Sequence, residues 1–484
     1  MINNSTSLGN AIIYSLLLLF FFDGQYDDDY STIFPVQRIG QSKDSIGTPS
    51  KTFHARDITG QAQHKDEMNA KSVPTTIHGV NVINQLGKSL LDFGAKNAFL
   101  ITDKGLTKVG LTDQVGEKIK NANINLVVYD DVVANPTVEV VDNGAKLLRE
   151  LMKAGTTVVV TLGGGSSMDA GKAIAMLSQQ DTGSILDYTI VPALAKGKDT
   201  IDFSTMKTKH KVGNVSRIPK IIAIPTTSGT ASETNGASVI TDTRGAKHRK
   251  LIYMNDASKA SLIIMDPAMT VGVPRYPTAT CGMDVLTHAL EAYTSALQNE
   301  YSDAIAMGSI KLVAEYLPKL MGDLSNMVFR QKMQLASHMA GVAFNISQLG
   351  LVHGVGHPLS ALLNQAHGQT LATMLPHVME YNMPVRAEKY AEVAKAFRVY
   401  DSNLSTEANA RKAIKAIADL SIQVGTARSI REMGGSEKDI PVLVEQALTD
   451  LSGLTNPRPA TREAVTNMYM AAMDNKELYP SSKL

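Results

Sequence analysis

The 484-residue chain has one cysteine, Cys281, and no tryptophan. A lone thiol excludes an internal disulfide and any zinc site built from several thiolates. A metal in this protein must be held by nitrogen and oxygen. Charge of one sign is lacking too: 47 basic and 46 acidic side chains leave a formal net charge of +1, and no Lys/Arg-rich block stands out. This balance argues against nucleic acid as a partner. Long hydrophobic runs are also missing. AIIYSLLLLFFF (11–22) falls short of the roughly 20 residues of a helical membrane span. No Lys or Arg precedes it and no small-x-small cleavage site follows, so no membrane association is expected. Residues 23–70 are polar, aperiodic and acidic at Asp27, Asp28 and Asp29. Residues 1–71 therefore read as a disordered or non-native extension, with Met68 as the alternative start.

What remains is rich in pattern. Hydrophobic residues make up 44% of the chain, enough for a sizeable core and two domains. NAFLITD (97–103), INLVVYDDV (124–132), TTVVVTL (156–162), KIIAIPTT (220–227) and SLIIMDP read as buried strands. Between them VINQLGKSLLDFGA and VDNGAKLLRELMKAG have helical spacing and end at Gly. ASVITD and KLIYMN suggest an added hairpin, and 189–217 a polar, irregular surface loop. Alternating strand and helix predicts a parallel sheet with helices on both faces. After Pro274 the period becomes 3.6 throughout. The expected fold is thus an α/β, Rossmann-like nucleotide-binding domain over 72–272, followed by an all-α domain over 273–484.

VTLGGGSSMDAGKAIAM (160–176) runs from strand through three glycines into a helix. Such a loop lets backbone amides approach a pyrophosphate, with the helix N-terminus adding partial positive charge. It is not G-x-G-x-x-G, and a tight turn capped by Ser166 is the competing reading. PTTSGTASE (225–233) groups the hydroxyls of Thr226, Thr227, Ser228 and Thr230, suited to phosphate or adenine polar atoms or else to capping a helix. Asp103 ends a strand, where a carboxylate can accept from a ribose diol, or simply cap a helix.

CGMDVLTHALEAYTS (281–295) reads as an amphipathic helix with Asp284 and His288 one turn apart on one face. An anion is costly to bury without a partner, and a divalent cation would satisfy both side chains. GLVHGVGHPLSALLNQAHG (350–368) offers His353, His357 and His367. Imidazoles plus a carboxylate suit Fe(II), Zn(II), Co(II) or Ni(II) better than Mg(II) or Ca(II). Spacing does not say which histidine is spare, and Gly354, Gly356 and Pro358 leave a regular helix between His353 and His357 in doubt.

Taken in order, ITDKGL, NPT (135–137), GGGSSMDAGKAIA, IPTTSGTASE, GMDVLTHALEAYTS and GLVHGVGHPLSALLNQAHG resemble the iron-containing, or group III, alcohol dehydrogenases, over roughly residues 72 to 480. That resemblance implies metal ligation by Asp284, His288, His353 and His367, and makes His357 a catalytic, non-ligand histidine near the nicotinamide. It implies NAD as cofactor, with the pyrophosphate on Gly164, Gly165 and Ser166, and Asp169 close by, with Lys172 on the same helix. Thr226, Thr227, Ser228 and Thr230 would flank the adenosine half, Asn135 and Lys250 would contact the cofactor, and Asp103 would favour NAD over NADP. Phe344 would line the pocket for a small primary alcohol, diol or aldehyde. A cytoplasmic homo-oligomer is the implied assembly. Alternatives on the same scaffold are a hydroxyacid-oxoacid transhydrogenase or another dehydroquinate synthase-like enzyme. A non-catalytic metal or nucleotide binder would be expected to break the ligand set, and every motif position here holds a chemically competent residue.

Overall fold

A computed structural model describes residues 73–475, apart from 181–182, 191, 203–204, 206 and 245–248. The expectation for residues 1–71, and the boundary drawn between 71 and 72, lie outside the described residues.

Six parallel strands form the main sheet. They are β1 (Thr75–His78), β2 (Asn97–Asp103), β3 (Asn125–Val132), β4 (Thr157–Gly163), β5 (Ile221–Pro225) and β8 (Leu262–Met265), in the order β1-β8-β5-β4-β2-β3. Alternate residues of β2 face opposite ways, as strand geometry requires. Phe99 and Ile101 join the core formed with α4 (Val138–Met152) and α5 (Gly165–Leu177). Ala98 and Leu100 join a second core with α1 (Leu86–Asp92) and α3 (Leu111–Lys120). Burial on both faces explains why β2, β4, β5 and β8 are continuous apolar runs. Edge strand β1 was not apparent in the sequence: TTIH is short and pairs only with β8. The hairpin is present as antiparallel β6 (Ala237–Asp242) and β7 (Arg249–Met254).

Among the described residues, everything after β8 that is regular is helical. Helix α6 (Arg275–Thr294) is buried on all sides from Thr278 to Thr294 except at Cys281. It is therefore not the amphipathic helix expected, because α7 (Glu300–Gly322), α8 (Met327–Ser347) and α10 (His367–Ala396) enclose it in one apolar core. Backbone contact sets the spacing: a Cβ at Gly282 would overlap Leu317, and one at Gly368 would overlap the Thr280 carbonyl.

Two further expectations change. Helix α9 (Leu351–Leu363) runs unbroken through Gly354, Gly356 and Pro358. Its glycines permit close packing: a Cβ at Gly356 would meet Leu371 at 2.6 Å, and one at Gly354 would meet Gly453 at 3.3 Å. The 189–217 segment is not simply a surface loop. Ile201 is buried and packs with Ile190, Ile252, Leu451 and Leu454, while Gly213 is tied to Gln180 in both directions.

Candidate active site

Helices α6, α9 and α10 bring Asp284, His288, His353 and His367 together. The Nε2 atoms of His288, His367 and His353 lie 3.5, 3.7 and 3.9 Å from Asp284 Oδ1. Asp284 Oδ1 and His353 Nε2 are buried without a hydrogen-bond partner. Leaving such atoms unpaired costs on the order of 1–3 kcal/mol each, and more for a charge. A first-row ion about 2.1 Å from each donor places donors roughly 3.0–3.4 Å apart, so a small contraction seats it. Asp284, His353 and His367 alone already present ligand atoms all within 4.8 Å of one another.

The electrostatics agree with that fit. Burial pushes the Asp284 carboxyl up to about 7, against the pull of His353 and Lys250. Burial, reinforced by neighbouring imidazoles, holds His288 and His367 well below the ordinary histidine range, so they are neutral and have lone pairs to donate. Burial also disfavours a charged His353, yet Glu291 outweighs it and raises that residue. The cluster is thus a buried carboxyl facing two neutral rings and a third held by Glu291, a donor set whose deprotonated form a cation would stabilise.

Two carboxylates that went unnoticed in the sequence stand behind the rings. Glu291 Oε2 is 2.5 Å from His353 Nδ1, and its Oε1 accepts from the backbone of Val352 at 2.6 Å. It thereby occupies the N-terminus of α9. Glu291 falls on the face of α6 that carries Asp284 and His288, seven and three residues away, so the helical period was a usable signal. Asp450 Oδ2 is 2.8 Å from His357 Nδ1, and nothing in its local sequence distinguishes it from an ordinary cap.

His357 lies beside the cluster. Its ring stacks on His367 at 5.1 Å and meets His353 edge-on at 5.5 Å. Burial lowers its pKa despite Asp450. Phe344, on α8, has its ring centroid 4.7 Å from that of His288.

The glycine loop is at the C-terminal end of β4. The N-cap of α5 is Gly164 rather than Ser166, and the helix starts at Gly165. A Cβ at Gly165 would meet Thr230 at 2.8 Å, and one at Gly164 would meet Thr227 at 3.2 Å, so the two predicted cradles pack directly on each other. The Thr226 N–H donates to the Gly163 carbonyl at 2.8 Å, and the Asn135 N–H donates to Ser166 Oγ at 3.3 Å. Ser228 lines a small cavity with Cys281 and Arg330.

Asp169, Lys172 and Asp103 have local partners. Lys172 is buried and donates to Ser232 O at 2.8 Å, to Ser232 Oγ at 2.7 Å and to Ala237 O. Asp169 accepts from Ser232 Oγ and from Val239 N at 2.9 Å, and pairs with Lys172 at 3.2 Å. Asp103 caps α2 (Lys104–Lys108), its Oδ1 accepting from Leu106 N at 3.0 Å. On β7, Lys250 is depressed by burial, opposed by the charges of Asp450, Asp169 and Asp284. Charges on α5 and on α6 thus both act on this side chain.

Residues 74–267 match the iron-containing alcohol dehydrogenase family, and residues 278–473 match its C-terminal family, that of Fe-containing alcohol dehydrogenases. The chain belongs to the iron-containing alcohol dehydrogenases. It is an oxidoreductase of that family. It is similar to 1,3-propanediol dehydrogenase of Citrobacter freundii, 35% identical over 396 residues that span 81% of this chain and 96% of that protein. NAD-dependent methanol dehydrogenase of Bacillus methanolicus is 31% identical over 83% of this chain and 98% of its own length. The crystal structure of a 1,3-propanediol oxidoreductase superposes with a TM-score of 0.75 at 34% identity, covering 84% of this chain and 100% of that one. The two-domain plan of an iron-containing alcohol dehydrogenase, a parallel α/β sheet followed by helices, is the fold described above.

Proposed function

We propose that the protein is a metal-dependent, NAD(H)-linked alcohol dehydrogenase and aldehyde reductase for small primary alcohols or diols and their aldehydes. The observation that carries this reading is the convergence of three imidazole Nε2 atoms on one orphaned, buried carboxylate oxygen. Asp284, His288, His353 and His367 hold the ion, with Fe(II) first and Zn(II), Co(II) or Ni(II) sharing its donor preference. When bound, the ion supplies positive charge that eases removal of the proton from an alcohol oxygen. Phe344 lines the substrate pocket beside His288.

Gly164, Gly165 and Ser166 present the N-terminus of α5 to the pyrophosphate. Thr226, Thr227, Ser228, Thr230 and Asn135 flank the cofactor, Asp169 supports the loop, and Lys250 contacts it from β7. Asp103 keeps Oδ2 for the ribose diol while Oδ1 caps α2. His357 exchanges a proton at Nε2 with the substrate oxygen. Alcohol and NAD⁺ thereby give aldehyde, NADH and a proton. The division of labour follows domains at 72–272 and 273–484. The assembly is a cytoplasmic homo-oligomer without nucleic-acid or membrane partners, in keeping with balanced charge and an unpaired Cys281.

The test is an NADH-consumption panel over short aldehydes, using protein stripped of metal and reloaded separately with Fe(II), Zn(II), Co(II) and Ni(II). Activity should follow the metal and consume NADH in proportion to aldehyde. Equal rates in chelated and reloaded samples would end the reading.

A further inference from the structure

Asp450 follows the helix Ile440–Leu448 and N-caps the short 3₁₀ helix Leu451–Thr455. Its Oδ1 accepts from Ser452 N at 2.9 Å. Its Oδ2 lies 2.8 Å from His357 Nδ1, with side-chain exposures of 13% and 12% for the pair. Both carboxylate oxygens are therefore engaged, one on a backbone amide that fixes the plane of the group. The 3₁₀ helix is itself anchored, since Leu451 packs on Ile201 with Ile190 and Ile252. The ring of His357 is confined too, by His367 on one face and His353 at its edge.

We propose that Asp450 is a positioning residue that fixes the tautomer of His357, and so makes Nε2 the atom at which the proton moves. This rests on the function proposed above. An ionised carboxylate only accepts, so the nitrogen facing it carries the hydrogen. Nδ1 is thereby occupied and Nε2 keeps the lone pair. Without this partner the two tautomers of an imidazole compete, and only one presents an acceptor at Nε2.

Asp450→Asn separates position from charge. The Ser452 amide continues to require an acceptor, so the Asn oxygen stays there and its NH₂ turns to His357. Nδ1 must then accept, and the hydrogen moves to Nε2. In Zn(II)-loaded enzyme, ¹⁵N spectra of the imidazoles should show His357 protonated at Nδ1 in the native chain and at Nε2 in D450N. Turnover in D450N should fall about a hundredfold, with bound metal per subunit and the KM for aldehyde unchanged. His357→Ala should lose as much, and the double variant no more than H357A alone.

A native His357 protonated at Nε2 overturns the proposal whatever the activity, and so do losses that multiply in the double variant. Should D450N fail to fold, the native spectrum alone decides. If no form reduces aldehydes, the proposed function has failed, and the tautomer is still read independently by the same spectra.

Discussion

Two largely buried clusters of charge, one on the helix after the glycine loop and one among the C-terminal helices, have opposite fates. Asp169 and Lys172, on the helix after the glycine loop, are closed on themselves: Ser232, Ala237 and Val239 supply partners for both. Asp284, His288 and His353 are deeply buried, with His367 partly exposed beside them, yet Asp284 Oδ1 and His353 Nε2 have no partner. Burial of charge is common to both and marks neither as functional. What separates them is satisfaction, because an ion pair completed within the protein needs nothing more, whereas converging orphan atoms are stable only around something else.

The largest expected effect breaks the open cluster. His353→Ala or His367→Ala should lower turnover by about a thousandfold, the loss expected when several kcal/mol of metal assistance is removed. Metal analysis should show the ion lost, with the helical circular dichroism retained. A variant that keeps stoichiometric metal and full rate would make the two clusters equivalent.

Breaking the closed cluster should act on stability instead. Lys172→Met leaves the partly buried Asp169 without its cation, a loss of about 3 kcal/mol at the lower end of the range for broken buried pairs, read as a lower urea midpoint. Bound metal should stay at the native level.

The closed cluster also has a pH signature. Burial pushes the Glu233 carboxyl up to about 7 from its ordinary value of about 4.5, with Lys172 pulling the other way. The folded state then binds more protons than the unfolded state between those values. Stability should therefore decrease as pH rises through this window, by on the order of 3 kcal/mol. Urea titrations of Glu233→Gln across the same range should have lost that slope.

The smallest effect tests what orients the open cluster. Glu291→Gln keeps the shape but weakens the partner of His353 Nδ1, and should cost about 10–100-fold in metal affinity, measured by competition with a chelator.

The same contrast explains what the sequence made legible. Strands β2, β4, β5 and β8 were readable because helices cover both faces and demand unbroken apolar runs. Strand β1 was not, since four residues at a sheet edge carry no period. Asp284 and His288 were readable as a pair because a single helix sets their geometry. The choice among His353, His357 and His367 was not, because it depends on how α9 and α10 pack on α6. Asp169 drew attention as a cofactor neighbour, and only the folded positions of Ser232 and Val239 reveal its partners. Asp450 reaches His357 across 93 positions of chain, a distance no local pattern spans.

The contact between Gly368 and the Thr280 carbonyl bears on which ions the protein admits. That glycine directly follows His367, and Thr280 is one turn before Asp284, so the gap between these two donors is fixed by main chain against main chain. Rings may tilt, but the helices carrying them have no room to approach and little reason to part. If these donors hold a cation, one much wider than those of the first transition row would have to be accommodated by side-chain tilt alone.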